Sequence, residues 1–386
     1  MNCPVCTSAR NEVFLSIDQV PVHCNLLWSD RSSALAAPKG DITLAFCHVC
    51  GHIFNTAFDP ALMEYTQAYE NSLHFSPRFQ SYAETLAQDL IERHDLHHKE
   101  IVDIGAGQGD FLRLLCKLGD NHGWGFDTAH VPNEADQEDN RLTFVQDFDW
   151  RKYLDHTPDM IVTRHVLEHI EQPLKFMENI RNGLEASKRT LVFFEVPNMA
   201  YTLRERAIWD IIYEHCGYYT PHSLAKLFQR TGFNVLTTDE TYAGQFLTIE
   251  ALPSEGVANI AMDSVPEKVI RQVGVFASEF REKIAYWRMA LRAWANEGKR
   301  VVVWGAGSKG VTFLNVLDAE EKIEYIVDIN PRKEDKYIVG SGQRIVSPHF
   351  LAGYGPDIII LMNPVYRAEI TQMMAGMGLA AEYALA

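Results

Sequence analysis

The chain has 386 residues, 47% of them hydrophobic and 22% charged, which places it among ordinary globular proteins of two or three domains and excludes disordered and fibrous classes. Lys+Arg 35 against Asp+Glu 51 gives a formal net charge of -16, a surface field that repels nucleic-acid backbones and anionic lipid. No run approaches the roughly 20 apolar residues of a membrane span, and the N-terminal MNCPVCTSARNE lacks the apolar core of a leader peptide, so a cytoplasmic location is expected.

The first chemistry-bearing feature is a pair of CxxC knuckles, Cys3/Cys6 and Cys47/Cys50, the second running on into Gly51-His52. Two such turns bring four thiolates to one tetrahedral ion, the ligand set of structural zinc, with His23, His48 and His52 as reserve ligands. Val13-Phe14-Leu15 and Ile42 to Phe46 read as strands of a small ribbon, and a module of about 60 residues buries too little core to dispense with a staple. A helical stretch is expected from about Pro60 to His98, with Tyr65, Tyr69, Ser72 and Ser76 at spacings of three and four.

Ile101 to Ile104 then reads as a buried strand, running through Asp103 into the turn Gly105-Ala106-Gly107-Gln108-Gly109 and a helix from Asp110. Strand, glycine turn and helix open a doubly wound sheet, whose ligands lie beyond the carboxyl ends of the strands. A second strand, Gly123 to Phe126, ends at Asp127-Thr128, where a carboxylate can accept from ribose hydroxyls. Asp147-Phe148 offers an acid and an aromatic ring for an adenine, and Asp159 to Val162 leads into Arg164-His165 and His169. In order and spacing, VDIGAGQG, GFD, QDF and DMIVTRHVLEHI resemble the successive cofactor motifs of class I S-adenosylmethionine-dependent methyltransferases. The resemblance implies Asp103, Gly105, Ala106 and Gly107 near the methionine part, Asp127 and Thr128 at the ribose, Asp147 and Phe148 at adenine, and Arg164 and His165 beneath the sulfonium.

Downstream, Thr190 to Asn198 reads as a further buried strand, and Tyr213-Glu214-His215 precedes a helix that starts at Pro221 with Thr220 as its cap. A carboxylate-oriented histidine can take a proton near neutral pH, and a phenol can polarise an oxygen. An amphipathic helix is expected from about Pro266 to Asn296, its apolar stripe at Val269, Val273, Phe276, Phe280, Ile284, Trp287, Leu291 and Trp294. The stripe is read as a connector packed on both flanking domains, with a partner-binding or dimerising helix as the alternative. A second glycine turn, Gly305-Ala306-Gly307-Ser308-Lys309-Gly310, follows the strand Val301 to Trp304, and Asp328 ends the next strand. This fits GxGxxG with its distal acid, so a nicotinamide-dependent oxidoreductase has to be weighed; the short domain and Lys309 favour a phosphate contact instead.

The whole chain resembles the nucleotide-sugar C-methyltransferases of deoxysugar biosynthesis, through CxxC…CxxCGH, VDIGAGQGDFL, RHVLEHI, Glu214-His215 followed by Tyr218-Tyr219, and WGAGSKGVTFLN…VDINPRK. The resemblance implies an α/β architecture of a zinc-binding module (residues 1–60), a methyltransferase domain (61–262), a connecting helix (263–298) and a smaller Rossmann-like substrate domain (299–386). It implies S-adenosylmethionine and structural zinc as cofactors, and a nucleotide-diphosphate 4-keto sugar as the small-molecule partner. By the same resemblance His215 is the base, with Glu214 and Tyr213 beside it and His169 on the keto oxygen; Lys309, Asn363, Tyr69 and Ser72 hold the acceptor. One departure stands out: the family reads Tyr-x-Glu-His, whereas Ile212 takes the first place here and Tyr213 directly precedes Glu214. A methyltransferase acting on oxygen or nitrogen is the alternative with the same cofactor. The pattern fixes no oligomeric state.

Overall fold

The computed structural model describes residues 1–63, 70, 72–132, 139–184, 189–254, 264–319 and 323–386. Near the N-terminus β1 (Asn11–Pro21), β2 (Lys39–Cys47) and β3 (Ile53–Asn55) form an antiparallel meander. The expected helix from Pro60 to His98 is shorter in the structure. A 3-10 turn spans Pro60–Leu62, and among the described residues the helix itself runs over Pro77–His94. The reason is local. Ser76 is an extended N-cap whose hydroxyl accepts from the Phe79 amide, and Pro77 has the fixed φ of a first helical residue. Tyr65 and Tyr69 lie outside the described residues.

The central sheet holds β4 (Glu100–Ile104), β5 (His122–Phe126), β6 (Leu142–Val145), β7 (Met160–Arg164) and β8 (Leu191–Pro197), all parallel. A two-residue strand β9 (Gly217–Tyr218) then leaves this sheet and pairs with β3, so that the N-terminal sheet is edged by chain from far downstream. The hairpin β10 (Phe233–Thr241) and β11 (Phe246–Pro253) closes the central sheet antiparallel to β8, in the order β10-β11-β8-β7-β4-β5-β6. Ile101, Val102 and the run Val192 to Phe194 are buried on both faces, as helices on each side of a parallel sheet require.

The helix Glu267–Asn296 buries Val269, Val273, Phe276, Phe280, Ile284, Trp287 and Leu291, and Trp294 is partly buried. Their spacing of three and four is the stripe read from the sequence. They share one core with Ile42 and Phe46 of the N-terminal sheet and with Phe313 and Leu314 of the C-terminal domain. Each such side chain contributes about 1.5–3 kcal/mol relative to exposure, so the helix is glued along both neighbours. Beyond it β12 (Val301–Trp304), β13 (Tyr325–Val327), β14 (Arg344–Val346), β15 (Ile358–Leu361) and β16 (Glu382–Leu385) make a parallel sheet in the order β14-β13-β12-β15-β16. Among the described residues no helix is long and apolar enough to cross a membrane.

Candidate active site

The parallel strands of the central and C-terminal sheets present their carboxyl ends to one cavity of about 330 Å³. Its central-sheet wall holds His165, Glu168, His169 and Pro197, and its C-terminal wall holds Trp304, Gly305, Gly307, Lys309, Asp328 and Met362. His215, Ile212, Ser72 and Gln245 also line it. The sequence motifs of two separate domains thus meet on a single space.

On the central sheet, Gly105 and Gly107 have φ of 78° and 56°, values that glycine reaches without strain. A Cβ on Gly105 would sit 2.1 Å from the Val166 side chain, whereas one on Gly107 meets nothing within 4 Å. The first glycine is therefore needed for packing and the second faces open space, as a ligand cradle does. Asp127 is held by backbone donors: its two carboxylate oxygens accept from Gly107 N at 2.8 Å and Ala129 N at 2.7 Å. A carboxylate has further lone pairs for ribose hydroxyls. Thr128 is exposed on the turn, and Ala106 N donates nothing to Asp127 but bonds the Phe126 carbonyl. Asp103 is buried one strand residue earlier, and desolvation lifts its carboxyl to about 7 against the pull of Arg164.

Asp147 accepts from Lys152 Nζ at 2.9 Å and from the Phe148 and Asp149 amides, which hold it well below the usual carboxylate range. The Phe148 ring is exposed beside it. Arg164 turns inward: Nε and Nη2 both reach Glu195 Oε1, at 3.0 and 2.7 Å, with the guanidinium 4.1 Å over the Phe111 ring. His165, at φ 55°, lies 3.0 Å from the same Glu195 oxygen and 3.5 Å from Glu168 Oε1. Burial opposes its charge, but the two carboxylates outweigh burial and raise its pKa to about 9. Tyr82 donates its hydroxyl proton to Glu195 and accepts from the Thr241 hydroxyl at 2.9 Å.

His169 Nδ1 is 2.9 Å from the Glu214 carbonyl oxygen, so that nitrogen carries the proton and donates. Its ring meets that of His215 edge to face at 4.9 Å. Burial, reinforced by His169, pushes His215 down to about 3. One ligand-type atom each of Glu168, His169 and His215 lie within 4.8 Å of one another.

The structure corrects two expectations about this cluster. The Glu214 carboxylate does not face the cavity; it accepts from Cys24 N at 3.3 Å and lies 3.6 Å from His23, because the β9 segment turns it toward the N-terminal sheet. The Tyr213 hydroxyl likewise leaves the site, accepting from Asp59 N at 2.9 Å with its ring packed over Gly40. The acid that meets the histidines is Glu168, buried at 2% exposure, with its charge favoured by His165, His169 and His215 despite desolvation.

On the C-terminal side, Lys309 Nζ is 2.7 Å from Asp210 Oδ1 and 3.3 Å from Gln245 Oε1. Asn363 and Gln245 exchange both amide hydrogen bonds at 2.9 Å. Asp328 Oδ2 accepts from Ala306 N at 2.9 Å, and the buried Lys333 donates to the Ala306 carbonyl. Ser72 lines the cavity; Tyr69 lies outside the described residues. Glu168 and Gln245 line the cavity, Glu195 and Tyr82 hold Arg164 and His165, and His130 Nδ1 is 2.8 Å from the Gly107 carbonyl; the motif reading singled out none of these. A lone acid at the rim end of an apolar strand was the available signal for Glu195.

Outside the cavity lining, Cys3, Cys6, Cys47 and Cys50 cluster with their sulfurs within 4.8 Å, all buried, Cys3 and Cys50 at 3.5 Å and Cys6 and Cys47 at 3.5 Å. The donor set fits one tetrahedral ion. The histidines are elsewhere: His48 pairs with Glu12 at 2.9 Å, and His52 packs on Tyr219.

A family described as a methyltransferase domain matches residues 79–238, and one described as a C-methyltransferase C-terminal domain matches residues 267–381. The C-methyltransferase NovU of Streptomyces niveus is 26% identical over 226 residues, 55% of this chain and 52% of that protein, so the chain spans about half the length of that relative. Among solved structures, magnesium protoporphyrin IX methyltransferase from Synechocystis PCC 6803 is 18% identical and covers 46% of this chain and 84% of that chain, with a TM-score of 0.36. The 1,6-didemethyltoxoflavin-N1-methyltransferase of Burkholderia thailandensis is 15% identical, over 53% of this chain and 96% of that one, with a TM-score of 0.36.

Proposed function

We propose that this chain, a class I S-adenosylmethionine-dependent methyltransferase with a C-methyltransferase C-terminal domain, methylates a carbon next to the ketone of a nucleotide-linked keto-deoxysugar. The observation that carries the reading is the shared cavity, which puts the His169–His215 pair and the second glycine loop on one space. An acceptor with a reactive centre at one end and a phosphate at the other suits both walls.

Gly105, Gly107 and Asp127 would hold S-adenosylmethionine, with Asp147 and Phe148 at its adenine end. When bound, that cofactor supplies an electrophilic methyl group whose leaving group is a neutral thioether. His215, kept neutral by burial, takes the proton from the carbon beside the ketone, and the C–H electron pair moves into an enolate. The Glu168 carboxylate stabilises the imidazolium so formed, which in turn lies against the enolate. The enolate carbon then takes the methyl group. His169, with its proton committed to the Glu214 carbonyl, offers a lone pair at Nε2; it donates to the keto oxygen only after gaining a proton. Lys309, with the amides that open the helix Ser308–Val316, is placed for a diphosphate once Asp210 yields it. Zinc at the four cysteines is structural, since four thiolates complete its coordination.

Calorimetric titration with S-adenosylhomocysteine, then thymidine diphosphate, followed by turnover of 4-keto nucleotide sugars, tests the reading. Binding of both and C-methylation support it. Turnover of a hydroxyl or amine acceptor, or binding of NADPH at the second glycine loop without turnover, refutes it.

A further inference from the structure

We infer that Glu168, His169 and His215 form a second metal site, one that takes a divalent transition-metal ion and silences the enzyme when filled. The inference rests on the reading of this pocket as the acceptor site. Each residue offers one ligand atom, and those atoms lie within 4.8 Å of one another. Two imidazoles and a carboxylate suit zinc, nickel or cobalt rather than magnesium or calcium.

Three independent features go beyond the clustering. Glu168 is 2% exposed, yet its Oε2 has no hydrogen-bond partner among the described residues. Such a buried acceptor is costly unless something meets it. His215 Nδ1 is likewise buried without a hydrogen-bond partner among them. His169 gives its Nδ1 proton to the Glu214 carbonyl, the outer contact by which metal-binding histidines are usually oriented, and this turns its other nitrogen into the ligand atom. All three residues line the cavity, so the remaining coordination positions open onto the acceptor's space. An ion there occupies the lone pair that His215 needs to accept a proton. Metal binding and turnover therefore exclude one another, and acceptor competes with the ion.

The test uses full-length protein with zinc already at the four cysteines, titrated with Co2+ and followed by visible absorption. One further equivalent is expected, with the weak ligand-field bands of nitrogen and oxygen ligation and without a sulfur-to-metal charge-transfer band. Co2+ should inhibit methylation competitively with the acceptor. Glu168→Gln and His169→Gln should each weaken the further equivalent by roughly tenfold or more, in protein shown to be folded by retained S-adenosylhomocysteine binding. No further equivalent, or one untouched by both variants, overturns the inference. Co2+ bound as expected in a protein that methylates no keto sugar leaves the metal site standing and sinks the functional reading instead.

Discussion

The carbonyl oxygen of Glu214 accepts from His169 Nδ1 at 2.9 Å, while the carboxylate of the same residue faces away toward Cys24 and His23. One residue thus serves the site through its backbone and the neighbouring sheet through its side chain. Glu214→Gln keeps the carbonyl. We expect a stability loss of about 1–3 kcal/mol from the imperfectly satisfied buried group, read as a lowered denaturation midpoint, with kcat of the folded enzyme changed little. Glu168→Gln should do the reverse, lowering kcat by roughly 10²-fold while S-adenosylhomocysteine binding persists.

His215 is pushed down to about 3 and His165 raised to about 9, so their pH effects have opposite signs. For His215 the stability of the neutral buried ring is complete above the unfolded value of about 6.5 and is lost as pH falls toward 3. For His165 the stabilisation is complete below about 6.5 and is lost as pH rises through 9. Denaturant midpoints measured across pH should fall on both sides, and kcat/KM should show no acid limb near 6.5. A limb there would contradict the assigned environment.

The glycines at 105 and 107 differ in what a methyl group meets. Gly105→Ala collides with Val166 at a positive φ and should cost several kcal/mol, seen as a lower Tm or insoluble protein. Gly107→Ala adds only the left-handed backbone penalty of about 1–2 kcal/mol, but its methyl enters the ligand space. Calorimetry should show a folded protein with S-adenosylhomocysteine affinity reduced at least tenfold.

Lys309 is paired with Asp210 across the cavity. Lys309→Met should raise KM for a nucleotide-linked acceptor with kcat less affected, and should leave the KM for S-adenosylmethionine unchanged. Equal effects on both substrates would rule out an acceptor contact.

Local chemistry explains which parts could be read beforehand. Both glycine turns, the capped helix at Thr220, the stripe of the helix Glu267–Asn296 and the cysteine quartet all follow from short-range pattern. Adjacency in sequence misled where the chain turns sharply: Tyr213, Glu214 and His215 are consecutive, yet their side chains point to Asp59, to Cys24 and to the cavity in turn. Glu168 was hidden for a related reason. Its role comes from a tertiary meeting of the β7 and β9 segments, which no periodicity announces. The start of the helix at Pro77 is signalled by Ser76-Pro77, which caps and opens it.

β9 gives the pairing of β3 with the stretch just after His215 a temporal meaning. The N-terminal sheet cannot finish its edge until Gly217 and Tyr218 have been synthesised and the central sheet has begun to assemble around them. The sheet of β1, β2 and β3 is therefore among the last parts to close, and its completion fixes the loop that carries His215. Slow, non-local closure of this kind makes refolding sensitive to anything that holds the two cysteine knuckles apart.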